Sequence, residues 1–245
     1  MNNTQNTNLA SQAYWDSGYK DFHFTPMPKS YPISQLLYKH FKKTTDKTVF
    51  EIGAFPGRFL YHFGALGYQL NGIDQTPYLM DMERWFYKED FTIGNFAGGD
   101  ILKLDFNTTY DVVFSSGFIE HFENFEEIIR IHGKLTKSGG HVFITAPNFA
   151  GKVQKYLHTH LDKENTDRHN LLAMDVEKWK KVLVQDGFDI VEAGYVGGFD
   201  FWVDKEKRGI FKKILTKIIT ILTPIRWIPN SRSYSPEIVL IAKKK

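Results

Sequence analysis

Two acids and two glycines at close spacing carry the first recognisable chemistry in this chain. The run Val49-Phe50-Glu51-Ile52-Gly53-Ala54-Phe55-Pro56-Gly57-Arg58 takes an apolar stretch into a turn bounded by glycines, and Asn71-Gly72-Ile73-Asp74 ends a second apolar stretch on an acid. Gly53 and Gly57 let the backbone turn sharply and approach a ligand with no Cβ in the way. Asp74 offers two acceptor oxygens suited to the paired hydroxyls of a ribose. A second pair, Glu120-His121, lies beyond the apolar run Tyr110-Asp111-Val112-Val113-Phe114-Ser115-Ser116. An imidazole titrates near neutrality, so His121 can take a proton from a reacting hydroxyl, with Glu120 as its neighbour. For the glycine run alone, the plain alternative is a strand-turn-helix that binds nothing.

Such residues need a sheet whose strand ends converge on a crevice. Strand patterns near 48–53, 69–74, 96–100, 111–116, 141–146, 188–195 and 236–243 alternate with helical patterns near 32–43, 57–66, 77–88, 123–135 and 175–186. This alternation predicts an α/β fold with a parallel sheet covered on both faces. The length of 245 residues supports one sizeable core and a single domain. A formal charge of +3 is too small for a dedicated nucleic-acid binder, so none is expected as a partner. The absence of cysteine excludes disulfides and thiolate metal sites and suits a cytoplasmic location. Residues 1–12 are polar and carry no signal-peptide core, and no apolar stretch reaches spanning length.

The turn also discriminates between cofactors. A dinucleotide fingerprint needs Gly-x-Gly-x-x-Gly, but Phe55 takes the middle position and Arg58 follows Gly57. Glu51 would repel a pyrophosphate, whereas it suits the ammonium and sulfonium of S-adenosylmethionine (SAM), which has no phosphate. SAM is therefore favoured over NAD. An NAD-dependent oxidoreductase and a non-catalytic SAM- or metabolite-binding protein stay as the alternatives.

At these residues the chain resembles the class I SAM-dependent methyltransferases, whose loop commonly reads Glu/Asp-x-Gly-x-Gly-x-Gly. Glu51, Gly53 and Gly57 match, and Phe55 departs from the central glycine. Gly98-Gly99-Asp100-Ile101 resembles the family's acid-bearing turn after the third strand. Residues 110–116 resemble its fourth strand, and Gly117-Phe118-Ile119-Glu120-His121-Phe122 resembles the continuation of that strand in small-molecule methyltransferases. Lys137-Ser138-Gly139-Gly140 resembles the turn into the fifth strand, and 189–195 with 236–242 resemble the closing antiparallel strands. The resemblance covers roughly residues 45–195. It implies a Rossmann-like seven-stranded, mostly parallel sheet with helices on both faces and the last strand antiparallel. It also implies that Glu51, Gly53, Ala54 and Gly57 surround the methionine part of SAM. Asp74 and Gln75 hold the ribose, Asp100 and Ile101 the adenine, and Ser116 borders the methyl.

Some relatives carry Glu-x-x-Glu-His here and bind a divalent metal. In this chain Gly117 replaces the first carboxylate, so two ligands remain and no metal is expected. A second group, His158, His160, Asp162, Asp167 and His169, matches no defined ligand spacing and reads as a solvated, mobile loop. The acceptor pocket is expected from Tyr14, Trp15 and Tyr19 as a lid, from Asn148, His169 and Asn170 as polar contacts, and from an aromatic wall holding Phe199 and Trp202.

The whole reads as residues 1–44, lid and helix; 45–195, SAM-binding core; 196–234, an insertion; and 235–245, final strand and tail. Within the insertion, 205–228, Ile210, Phe211, Ile214, Leu215, Ile218, Leu222 and Ile225 recur at helical spacing, with Lys212, Lys213 and Lys217 opposite. Packing on the sheet or on a second subunit as a homodimer is the expectation. Peripheral contact with an anionic membrane is the alternative. The expected activity is methyl transfer from SAM to a small-molecule acceptor, a hydroxyl in preference to an amine, with a glycan or lipid-linked precursor as one acceptor class.

Overall fold

The computed structural model describes residues 9–104, 107–204 and 209–245. Residues 1–8, within the polar start, and 205–208, at the head of the basic segment, lie outside the described residues. The strands are β1 (Thr48–Ile52), β2 (Gln69–Asp74), β3 (Ile93–Gly98), β4 (Tyr110–Ser116), β5 (Thr136–Pro147), β6 (Phe188–Val196) and β7 (Glu237–Lys244). They form one sheet in the order β3-β2-β1-β4-β5-β7-β6. Pairing is parallel from β3 to β5, and β7 runs antiparallel to both β5 and β6. The order reverses direction between β1 and β4, where strand ends part and open α/β sheets take their ligands.

The helices among the described residues are α1 (Gln12–Tyr19), α2 (Pro32–His40), α3 (Leu60–Ala65), α4 (Leu79–Lys88), α5 (Phe125–Leu135), α6 (Lys152–Leu161), α7 (Lys163–Asp167), α8 (Val176–Gln185) and α9 (Ile210–Leu222). Side chains alternate across the strands and so feed two cores. Phe50, Ile52, Val113, Val142, Ile144 and Leu240 join the core beneath α5 and α8, around Ile128, Trp179 and Leu183. Val49, Val112, Phe114, Phe143 and Ile241 point the other way, to Leu37, Phe63, Met82 and Phe86 of α2, α3 and α4. The sheet is thus covered on both faces, as its apolar runs predict.

Local chemistry sets several boundaries. Pro32 opens α2 at its first position, where a missing N–H costs nothing. Asp175 caps α8 by accepting from the Glu177 N–H at 3.1 Å. The helix expected from 57 starts only at Leu60, because Gly57 has φ +72°, outside helical space. The turn expected at 137–140 lies inside β5, whose register with β4 breaks between Tyr110 and Val112.

Two expectations are corrected. The 158–169 segment is not a solvated loop: α6 and α7 turn Gln154, His158, Leu161, Asn165 and Thr166 inward. His160 and Asp167 stay outside, so the apparent group divides across opposite faces. Nor does α9 pack its apolar face on the sheet. Its only buried residue is Thr216, while Ile210 and Phe211 are 80% and 79% exposed and Ile214, Ile218 and Ile221 are exposed with them. No helix among the described residues is long and apolar enough to cross a membrane.

Candidate active site

The β1 turn is built to be tight. Gly53 has φ +71°, and a Cβ there would sit 2.4 Å from the Phe118 ring. At Gly57 a Cβ would lie 2.6 Å from Phe86 and 2.7 Å from the Met82 sulfur. The N–H groups of Gly53 and Ala54 both donate to the Ile73 carbonyl at 3.0 Å. One oxygen of Asp74 accepts from the Phe55 N–H at 3.0 Å and the other from the Thr76 N–H at 2.9 Å. Burial pushes the Asp74 carboxyl above the usual carboxylate range, against the pull of those backbone donors.

A crevice of about 670 Å³, its mouth included, opens at these strand ends. Gly53, Asp74, Gln75, Ile101 and Ser116 line it, as the sequence placed them. Gly99, Phe118 and Phe122, which lie in the motifs after the third and fourth strands but were given no role, also line it, as does Gln12, which carried no signal. Glu51, Ala54 and Gly57 lie beneath its wall. Glu51 is buried, one of its carboxylate oxygens has no hydrogen-bond partner among the described residues, and burial together with the Asp74 charge raises it well above the usual range. The Asp100 carboxylate caps the short 3-10 turn after β3, accepting from the Leu102 N–H at 3.0 Å, while its neighbour Gly99 lines the crevice.

Phe55, the residue that breaks the family glycine pattern, is 4% exposed. Its ring lies 4.7 Å from Tyr19, 5.7 Å from Phe24, 5.9 Å from Phe22 and 6.2 Å from Tyr78, centroid to centroid. It therefore anchors the aromatic N-terminal segment to the glycine turn. Next along, the Trp15 ring meets His121 edge-on at 4.9 Å, and the Leu9 N–H donates to the His121 carbonyl at 2.8 Å.

A second, larger cavity adjoins the crevice, and Trp15, Ser116, Gly117 and His121 line both. Tyr14, Glu120, Asn165, His169, Asp200, Trp202, Asp204 and Glu237 line the second alone. Tyr14 and Trp202, both expected to contact an acceptor, come together in this cavity. Tyr19 lines the crevice rather than this cavity. Asn148 is a correction: it is buried, and its amide donates to the Arg232 and Ser235 carbonyls at 2.9 and 2.8 Å to hold the β7 approach. Phe199 bridges backbone to backbone with Ile225 and is not among the residues that line this cavity. Glu237 went unread, although an acid opening the apolar run Ile238-Val239-Leu240-Ile241-Ala242 is the kind of signal that marks a buried polar site.

Around the shared wall, segment 168–170 is clamped to the turn after β4. The Asn170 N–H donates to the Glu120 carbonyl at 2.6 Å, and its amide donates to the Phe122 carbonyl at 2.9 Å. His121 Nδ1 donates to the Arg168 carbonyl at 3.0 Å. Asn170 is thus a clamp and not an acceptor contact, while His169 comes to face His121 with ring centroids 4.5 Å apart. Burial, aided by His169, pulls His121 down to about 3, and burial pulls His169 to about 4. Both rings are neutral at pH 7. Burial pushes Glu120 up to about 8, and neither of its oxygens meets a hydrogen-bond partner among the described residues. Two possible ligands were counted from the sequence here, and the fold brings His169 to them as a third.

Comparison with known proteins bears on the reading of this crevice. A family profile described as a methyltransferase domain matches residues 29–193, more than half of the chain. A search of curated proteins gave no significant match. Among solved structures, a protein of Bacillus halodurans C-125 assigned as a methyltransferase is 16% identical, covering 86% of this chain and 97% of its own, with TM-score 0.61. The magnesium protoporphyrin IX methyltransferase of Synechocystis PCC 6803, solved with bound SAM, is 15% identical, covers 86% and 74%, and has TM-score 0.51. The N-methyltransferase NodS of Bradyrhizobium japonicum WM9, solved with S-adenosyl-L-homocysteine (SAH), is 16% identical, covers 81% and 78%, and has TM-score 0.51. At such identities these structures show a shared fold, whereas the family match covers the strands and turns that form the crevice. The chain belongs to the class I SAM-dependent methyltransferases.

Proposed function

We propose that this methyltransferase moves the methyl group of SAM onto a hydroxyl of a small, sugar-like acceptor. The observation that carries this reading is the wall of Trp15, Ser116, Gly117 and His121 shared by the crevice and the second cavity. SAM seated with its ribose on Asp74 and its ammonium toward the buried Glu51 directs its methyl at that wall. Methyl transfer is an in-line displacement with a charged, activated leaving group, so the protein must chiefly align the two reactants and exclude water. The α1 lid does the excluding, and the Glu120–His121 pair receives the hydroxyl and its proton.

The cavity chemistry supports a hydroxyl-rich acceptor. Glu120, Asp200, Asp204 and Glu237 supply acceptor oxygens, Asn165 an amide, and Trp15 and Trp202 the flat apolar faces on which sugar C–H groups stack. Incubation with methyl-labelled SAM and a panel of monosaccharides, nucleotide sugars and catechols tests this. Label should pass to a sugar hydroxyl and SAH should accumulate. Label confined to catechols or amines would refute the sugar reading.

The outward apolar face of α9 favours an acceptor held at a membrane. The Thr216–Thr220 side turns toward the protein, while Ile210, Phe211, Ile214, Ile218 and Trp227 point to solvent with Lys212, Lys213 and Lys217 along the helix flanks. Apolar residues edged by cations suit an anionic lipid surface, and a lipid-linked sugar in the cytoplasmic leaflet would be presented there.

A further inference from the structure

Beside the shared wall, a carboxylate and two imidazoles converge from two separate segments. One donor atom from each of Glu120, His121 and His169 lies within 4.8 Å of the other two. Donors bound to one cation at about 2.1 Å stand roughly 3–3.5 Å apart, so small side-chain rotations bring the three into range.

The hydrogen bonds orient these groups for that purpose. His121 Nδ1 faces the Arg168 carbonyl at 3.0 Å and His169 Nδ1 faces the Asn165 carbonyl at 2.6 Å. A carbonyl can only accept, so each Nδ1 carries the proton and each Nε2 keeps its lone pair. A backbone carbonyl behind the distal nitrogen is how metal-binding histidines are held in tautomer and direction. Glu120 is fully buried, and neither of its oxygens has a hydrogen-bond partner among the described residues. A buried carboxylate left so is costly unless something it can bind arrives. The guanidinium of Arg168, in the segment that carries His169, is engaged with Asp204.

We propose that Glu120, His121 and His169 bind a divalent first-row transition cation at the floor of the acceptor cavity. Two imidazoles and one carboxylate suit such an ion better than magnesium or calcium, which prefer all-oxygen sets. Three protein ligands leave positions for a substrate oxygen. The inference rests on the methyl-transfer reading of that cavity. An acceptor hydroxyl on the cation loses its proton to solvent more readily, and its oxygen then forms the O–CH3 bond as the S–CH3 bond of SAM breaks. One proton is released, the sulfonium becomes neutral SAH, and His121 serves as a ligand in place of proton acceptor.

Cobalt(II) titration of the metal-stripped full chain, followed by its visible d–d bands, tests this. Wild type should bind one equivalent, and Glu120→Gln and His169→Ala should each weaken binding on the order of 100-fold. His160→Ala, exposed on α6, should bind like wild type. Far-UV circular dichroism and SAM titration on every preparation confirm that each variant is folded. Absence of stoichiometric cobalt binding by wild type, or unchanged affinity in either folded ligand variant, would overturn the proposal. SAM binding without cobalt binding removes the cation and leaves the methyltransferase reading intact. Cobalt binding without SAM binding strikes that reading instead.

Discussion

His121 and His169 face each other with ring centroids 4.5 Å apart, brought together because Asn170 ties its segment to the backbone of Glu120 and Phe122. His121 lies in the 3-10 turn after β4, and His169 lies in the turn that follows α7. They meet beside the wall that the crevice and the second cavity share.

Replacing His121 should therefore separate binding from chemistry. His121→Ala should leave SAM affinity within a few-fold, because Asp74 and the glycine turn are untouched. Turnover should fall by about 10²–10⁴, the range for losing one proton-handling or positioning group. Single-turnover methylation alongside calorimetric SAM binding checks both values.

Phe55 links the lid to the cofactor turn through its contacts with Tyr19, Phe22 and Phe24. Phe55→Ala should cost about 3 kcal/mol or more of stability, as buried phenylalanine truncations do. The cost should appear first as faster hydrogen exchange over residues 12–24. Phe55→Gly should retain SAM binding if packing is the residue's main task. Loss of SAM binding with the lid still protected would assign Phe55 to the cofactor pocket itself.

The fold was legible because its signals are local and periodic. The turn at Gly53 and Gly57, the acid Asp74 and the alternating apolar strands all sit in contiguous sequence. The acceptor cavity was less so: Tyr14, Asn165, Asp200 and Glu237 share no spacing and meet only through the crossing of α1, α7 and β7. Asn148 resembles a ligand contact in sequence, but two buried carbonyls claim its amide. In α9 the hydrophobic periodicity marked an apolar face without saying which side meets the protein. Thr216 makes that contact, so the apolar face is left outside.

Glu237, whose charge also bears on Glu120, gives a pH signature of its own. Burial raises it from 4.5 to about 8, and the Tyr31 hydroxyl donates to it. The folded protein thus keeps a proton that the unfolded chain has lost between pH 4.5 and about 8. Its contribution to stability declines as pH rises through that window. Glu237→Gln should flatten this decline, so denaturation midpoints of variant and wild type should diverge in the variant's favour towards pH 8. Parallel midpoints across the window would show that Glu237 is ionised in the folded protein.

The exposed face of α9 predicts vesicle binding. Wild type should co-sediment with anionic phospholipid vesicles, less so as salt is raised, and poorly with neutral ones. Phe211→Asp with Ile218→Asp should abolish co-sedimentation without altering SAM affinity. A concentration-dependent dimer lost in the same double variant, with no vesicle binding, would assign the face to a second copy.

The meeting of the two cavities is tested most directly by a structure of the complex with SAH. The account predicts ribose hydroxyls on Asp74 and the sulfur directed at the wall of Trp15, Ser116, Gly117 and His121, open to the cavity that holds Glu120 and Glu237. A sulfur turned away from that wall, or an adenosine lying in the second cavity, would contradict it.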